Sequence, residues 1–106
     1  MVDVRRFVNS FAAYMSNQGF GVSGSYDKIF DIYKIKVRIP ESEVAVETEI
    51  FEVDKQLDNI IPGIYFRISG EEKQTNTRRD KIIRDGLIKK IQRWAKSNRV
   101  SRAEEK

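Results

Sequence analysis

The sequence predicts a two-layer α+β protein, in which a three-stranded antiparallel sheet carries both helices on one face. Apolar residues recur at helical spacing near both ends of the 106-residue chain, within 3–18 and 77–98. Between these segments, apolar and polar residues alternate as in half-buried strands. The aliphatic side chains include 13 Ile and 9 Val but only 2 Leu, and β-branched side chains favour a pleated sheet. The length fits one domain, predicted over 1–98 in the order α-β-β-β-α, with a frayed tail over 99–106.

The first predicted helix, 3–18, has a single apolar stripe. Its members follow the spacing i, i+3, i+4, i+7, i+8 and i+11: Val4, Phe7, Val8, Phe11, Ala12 and Met15. Asp3 suits the N-cap position, and Gly19 suits the position just after the helix. The segment 19–27 is rich in Gly and Ser and is therefore predicted to be a connecting loop.

The first two predicted strands, 28–39 and 44–53, form a hairpin whose register follows from the turn between them. A turn over 40–43 pairs Ile39 with Val44. On the solvent face this register places opposite charges across from each other, Lys36 with Glu47 and Lys34 with Glu49. On the core face it pairs Val37 with Val46 and Tyr33 with Ile50. After Ile50 the apolar positions shift to Phe51 and Val53, which predicts a bulge or a bend there.

The third strand and the second helix complete the predicted fold. A connection over 54–63 leads to the strand 64–69, and a polar loop over 70–76 leads to the helix 77–98. Thr77 suits the N-cap of this helix, with Asp80 three residues later. One arc of the helix is apolar and is expected to be buried: Ile83, Leu87, Ile88, Ile91, Trp94 and Ala95.

The charges are distributed unevenly along the chain. Residues 1–72 contain 8 basic and 12 acidic side chains, whereas residues 73–106 contain 12 basic and 4 acidic ones. This asymmetry predicts an anionic partner for the last third of the chain. The leading hypothesis is a small non-enzymatic nucleic-acid-binding protein, DNA or RNA, that contacts phosphates with little sequence preference. The candidate residues all lie on the second helix: Arg78, Arg79, Lys81, Lys89, Lys90, Arg93 and Lys96.

Two alternatives use the sheet rather than the helix. The solvent face carries basic and aromatic side chains that could form a platform for single-stranded nucleic acid: Lys34, Lys36, Arg38, Tyr65 and Arg67. The other alternative is a protein-interaction module or inhibitor, such as a phage, plasmid or archaeal-virus accessory protein. Such a module would use the sheet face or an edge strand, and one possible partner is a second copy of the chain.

Enzymatic activity is not expected, because the chain lacks both Cys and His. These absences exclude a thiolate nucleophile, imidazole general-base catalysis and most zinc sites, and no metal or cofactor is predicted. Glu71-Glu72-Lys73, with Pro40-Glu41 before it, resembles the Pro-Asp…Glu-x-Lys pattern of the restriction-endonuclease-like family, although Glu41 stands in place of the Asp. The resemblance implies a metal-dependent nuclease, which is kept as a remote alternative.

The predicted order α-β-β-β-α is similar to that of the double-stranded RNA-binding domain. In that family a basic cluster opens the last helix and contacts phosphates across a groove. The segment Thr77-Arg78-Arg79-Asp80-Lys81 lies in the matching place. The resemblance therefore implies a phosphate-binding role for Arg78, Arg79 and Lys81.

The sequence also bears on the compartment. No segment reaches the roughly 18 consecutive apolar residues needed to cross a bilayer. The N-terminal segment MVDVRRFV lacks the apolar core of a secretory signal, so no membrane partner is expected. The cytoplasm is the predicted location.

Overall fold

The computed structural model describes residues 4–42, 44–53, 61–71, 77–98 and 100–102. In chain order it contains α1 (Val4–Asn17), β1 (Gly21–Asp27), β2 (Ile32–Arg38), β3 (Ala45–Val53), β4 (Gly63–Glu71), α2 (Arg78–Ser97) and β5 (Ser101–Arg102). The strands form one sheet in the order β1-β2-β3-β4-β5. Neighbours among β1 to β4 are antiparallel, and the two-residue β5 is parallel to β4. The protein is thus an α+β protein with two helices and a largely antiparallel sheet.

The prediction of three antiparallel strands was wrong, because a fourth one, β1, occupies most of the segment predicted to be a loop. Gly and Ser have little intrinsic preference for strands, so the segment 19–27 gave no local signal. Pairing with β2 overrides this preference, and Val22 lies opposite Val37. Gly24 suits this pairing, since a Cβ atom there would lie 3.1 Å from Cδ1 of Ile35.

A well-defined turn, residues 28–31, joins β1 to β2. A strand was predicted to begin at residue 28, but β2 begins at Ile32. One side-chain oxygen of Asp27 accepts hydrogen bonds from the backbone N–H groups of Ile29 (2.9 Å) and Phe30 (3.2 Å), which is an Asx turn. Asp31 adopts a left-handed conformation with φ of 55°. Its carboxylate accepts a hydrogen bond from the Tyr26 hydroxyl at 2.6 Å, and this bond raises the pKa of Tyr26 above its ordinary value.

The predicted register between β2 and β3 is confirmed. Its pairs are Lys36 with Glu47, Lys34 with Glu49, Val37 with Val46 and Tyr33 with Ile50. The turn is closed by a hydrogen bond of 3.0 Å from the Ile39 N–H to the Val44 carbonyl. The predicted bulge near Ile50 was misplaced, because the irregularity lies between Glu47 and Thr48, in the pairing of β3 with β4.

Both helices pack on the same face of the sheet. The core-facing residues of β2, β3 and β4 form one cluster with apolar residues of α1 and α2. Phe11 and Trp94 join the two helices, with ring centroids 4.8 Å apart. The buried cluster comprises Val8, Phe11, Met15, Ile35, Val37, Val46, Ile50, Ile64, Phe66, Leu87, Ile91, Trp94, Ala95 and Val100.

The ends of α2 agree with the prediction, but the segment after it does not. Thr77 caps the helix, its hydroxyl accepting a hydrogen bond of 3.0 Å from the Asp80 N–H. A frayed tail was predicted from residue 99, yet Val100 is buried in the core and β5 pairs with β4. A lone Val between polar residues is too short a pattern to predict this return to the sheet.

Thr48 is the one buried hydroxyl in the described part of the sheet that has no hydrogen-bond partner. It faces the core from β3, between Ile35 of β2 and Ile68 of β4. A buried hydroxyl without a partner has lost its hydration and gained nothing in return. We therefore expect Thr48→Val to raise the free energy of unfolding by about 1 kcal/mol. Urea denaturation measures this change, and a lower stability of the variant would show that the hydroxyl has a partner in solution.

Candidate nucleic-acid interface

The N-terminal half of α2 contributes no fully buried residue to the core formed by the described residues. None of residues 78–86 is buried, whereas Leu87, Ile91, Trp94 and Ala95 of the second half are. Ile83 was predicted to be buried but is only half-buried. A helix of 20 residues is about 30 Å long, so along roughly half of that length no residue is fully buried.

The exposed side of α2 is basic. The helix contains eight Lys and Arg residues against two Asp residues. Four of them form what we call the basic face: Arg78, Lys89, Arg93 and Lys96, all exposed. At 100° per residue they fall within an arc of about 60°, and they extend over about 27 Å of the helix axis. Arg79 and Lys81 are also exposed and flank the basic face on opposite sides of its N-terminal end.

Three residues interrupt the basic face. Ile82 is 65% exposed in the middle of it, although its apolar side chain gains nothing from water. Gly86 leaves a gap in the surface, because a Cβ atom at this position would meet nothing within 4 Å. Asp85 lies beside the gap, with its carboxylate 3.4 Å from the Arg84 guanidinium. None of the three was predicted to be a site residue, although the same helical wheel places Ile82 among the cations.

Lys90 differs from the other six candidate residues of α2. Its ammonium group donates a hydrogen bond to the Gln18 side chain at 3.2 Å and lies 5.6 Å from the centre of the Phe20 ring. These contacts join α2 to the segment between α1 and β1. The structure therefore places Lys90 at a contact between elements, apart from the basic face.

Two of the candidate residues on the solvent face of the sheet, Arg67 and Tyr65, make contacts with neighbouring residues that were not candidates. Glu49 is buried in the middle of this face, and the Nε (2.8 Å) and Nη2 atoms of Arg67 both donate to the same carboxylate oxygen. The Arg67 guanidinium also lies 5.3 Å from the centre of the Phe51 ring. Tyr65 stacks on Phe51 at 6.1 Å and donates its hydroxyl hydrogen bond to the Ile61 carbonyl.

The basic residues of β2 lie beside this cluster. Lys34 and Lys36 are half-buried across from Glu49 and Glu47, and Arg38 is exposed at the end of the strand. Together with Ser23 and Ser25 of β1, the two lysines line a shallow depression of about 250 Å³. Acidic side chains thus separate Lys34 and Lys36 from Arg67, so the cations of this face do not form a continuous surface.

The nuclease alternative requires carboxylates that converge on a metal ion. Within those residues, no group of three or more acidic, His or Cys side chains is placed to hold a metal ion. Glu41 is exposed in the turn between β2 and β3. Glu72 and Lys73, which complete the nuclease-like triplet, lie outside the described residues.

The comparisons with known proteins identify no relative of this chain. No protein-family model matches it, and neither a curated protein nor a solved structure does. The order α-β-β-β-β-α-β also departs from the α-β-β-β-α order on which the resemblance to the double-stranded RNA-binding domain was based. None of the described helices is long and apolar enough to span a membrane.

A substitution at Gly86 can change the intrinsic stability of α2 without changing its packing contacts. Gly in the interior of a helix costs about 1 kcal/mol relative to Ala, and the space around Gly86 is open. We therefore expect Gly86→Ala to raise the free energy of unfolding by about 0.5–1 kcal/mol. Thermal or urea denaturation followed by circular dichroism measures it. No gain in stability would show that another part of the chain or a partner approaches the helix backbone here.

Proposed function

We propose that this protein binds nucleic acid through the basic face of α2. The observation that carries the proposal is the linear row of Arg78, Lys89, Arg93 and Lys96 on an exposed helix side. Each cation that meets a phosphate releases condensed counterions, and this release favours binding whatever the base sequence. The N-terminal end of α2 adds the positive end of the helix dipole beside Arg78 and Arg79.

The shape of the helix supports contact with a groove or a strand of the polymer. The basic face is about 27 Å long, and the phosphates of one DNA strand advance about 3.4 Å per nucleotide along the axis. Four cations at this spacing therefore match phosphates spread over several nucleotides. Because Arg78, Arg79, Lys81 and Ile82 are exposed, the N-terminal end of the helix can also enter a major groove about 12 Å wide.

The acidic side chains of the sheet lie where they do not oppose this binding. Glu47 and Glu49 lie on the solvent face of the sheet, whereas α2 packs on the opposite face. Glu49 is also neutralised by its ion pair with Arg67. At an ionic strength of about 0.1 M, charges separated by more than about 10 Å are largely screened from each other. The field around α2 is therefore dominated by its own cations.

Fluorescence anisotropy tests the proposal directly. Labelled single-stranded DNA, duplex DNA and duplex RNA are titrated with the protein at about 50 and 200 mM salt. We expect a dissociation constant in the micromolar range or below at the lower salt. Four phosphate contacts to a duplex predict a loss of affinity of about a hundredfold between the two conditions. The absence of binding to all three polymers at low salt would contradict the proposal.

A further inference from the structure

The free edge of the sheet at β1 is the most unusual surface outside the basic face. Among the described residues, β1 pairs with β2 on one side and with nothing on the other. Natural edge strands usually carry Lys, Pro or a bulge that prevents pairing with another chain. The strand GVSGSYD has none of these, and its register with β2 is unbroken over all seven residues. It is therefore an open template for another strand.

The sequence of β1 is complementary to itself in the antiparallel direction. The one two-fold axis that pairs all seven residues passes through Gly24. It places Val22 opposite Tyr26 of a second copy, Ser23 opposite Ser25, and Gly21 opposite Asp27. The apolar residues then meet on the core side and the serines on the solvent side, without like charges facing each other. This register gives three or four hydrogen-bonded pairs, and so at least about six main-chain hydrogen bonds.

We propose that the protein forms a two-fold symmetric homodimer in which the β1 strands pair about Gly24 and make one continuous sheet. The apolar row of β1 supports this arrangement. Tyr26 is exposed in the single chain, and its ring lies 4.7 Å from that of Tyr33 on the core side of β2. In the dimer, Val22 of the second copy covers Tyr26, and the apolar row continues across the axis.

The exposed turn between β1 and β2 supports the same register independently. Ile29 is 86% and Phe30 is 70% exposed, yet the Asx turn at Asp27 holds their backbone in a fixed conformation. Extending the register beyond Asp27 brings this turn beside Gly19 and Phe20 of the second copy. Two large apolar side chains of each copy are then removed from water, which adds to the strand pairing.

The solvent side gives the most specific test, because Ser23 meets Ser25 across the axis. In the double variant Ser23→Lys/Ser25→Lys, lysines face lysines of the second copy and also lie next to Lys36 and Lys34 of their own chain. We expect a dissociation constant of the dimer at least about tenfold higher than for the unchanged protein. Mixing this variant with an equal amount of Ser23→Glu/Ser25→Glu pairs opposite charges and is expected to restore the dimer.

Sedimentation equilibrium over about 5 to 500 µM measures the association. The unchanged protein is expected to approach twice the monomer mass of 12.4 kDa within this range. A monomer at every concentration would overturn the proposal, as would an unchanged dimer of the lysine variant. A mixture of the lysine and glutamate variants that stays monomeric would overturn the register. Circular dichroism establishes that each variant is folded.

A second pair of variants avoids any change to the strand itself. Ile29→Ser/Phe30→Ser removes the apolar side chains of the exposed turn and is expected to weaken the dimer about tenfold or more. Ile82→Ser is the matched control, because Ile82 is similarly exposed but lies on α2. Equal effects of the two variants would contradict the proposed interface. Neither result bears on nucleic-acid binding, which is measured separately with the polymers.

Discussion

Replacing Lys89, Arg93 and Lys96 together by Gln is expected to weaken binding to duplex DNA or RNA at least about a hundredfold at about 50 mM salt. The three side chains are exposed and make up most of the basic face. If each meets one phosphate, the variant keeps only about one of four counterion-releasing contacts. The slope of log affinity against log salt should then fall from about −3.6 to about −0.9.

The salt slope distinguishes a lost contact from a misfolded protein. A variant that is partly unfolded binds less at every salt concentration, but its remaining folded fraction keeps the original slope. A reduced slope therefore reports the number of phosphate contacts. Circular dichroism provides the second check, because Gln favours helix almost as strongly as Lys and Arg do.

The matched control removes three positive charges from the other layer of the molecule. Lys34→Gln/Lys36→Gln/Arg38→Gln changes the net charge by the same amount, but on the solvent face of β2. We expect less than about a threefold loss of affinity, since screening limits the influence of distant charges. If this control loses affinity as strongly as the α2 variant, the sheet face is the binding surface and the proposed function of α2 is wrong.

Removal of a negative charge beside the basic face is expected to have the opposite effect on binding. Asp85 lies next to the basic face and repels an approaching phosphate. Asp85→Asn removes that repulsion at almost constant shape, so we expect a severalfold higher affinity at low salt. The gain should disappear at high salt, where screening suppresses it. No change at low salt would place the bound polymer away from this side of the helix.

Local patterns in the sequence predicted much of this fold, and the parts they missed depend on contacts distant in sequence. The register of β2 with β3 was predictable because a short turn and alternating charges both favour it, as Lys36 opposite Glu47 shows. β1 was missed because Ser and Gly become strand residues only by pairing with β2. Similarly, Val100 is buried only because β5 returns to β4.

The candidate interface was predictable only in part, because local periodicity does not show how the rest of the protein packs against the helix. Helical periodicity identifies which residues of α2 share a side, so the sequence predicted that the cations of this helix lie away from its apolar arc. The periodicity gives no information on which half of the helix the rest of the protein covers. Ile83 was therefore predicted to be buried, and the contact of Lys90 with Gln18 was not foreseen.

An aromatic contact joins the two helices over the sheet, and its loss is expected to have the largest effect on stability. Phe11 of α1 is fully buried, and its ring meets that of Trp94 of α2 at 4.8 Å with an interplanar angle of 56°. Phe11→Ala removes this contact and leaves a cavity between the helices and the sheet. We expect the free energy of unfolding to fall by about 3–5 kcal/mol.

This loss is a large part of the total stability, which for a domain of this size is about 5–15 kcal/mol. In urea, the midpoint should therefore fall by about 2 M. Trp94 is the single tryptophan of the chain and is buried beside Phe11, so its fluorescence reports unfolding of this layer. Far-ultraviolet circular dichroism reports the helices and the sheet in the same titration.

Phe30→Ala is the matched control, because it makes the same substitution on the exposed turn between β1 and β2. At a protein concentration low enough to keep the chain monomeric, we expect a change within about 0.5 kcal/mol. A loss of less than about 1 kcal/mol for Phe11→Ala would mean that the helices close the gap by moving together. The buried contact between Phe11 and Trp94 would then not be what holds α1 and α2 on the sheet.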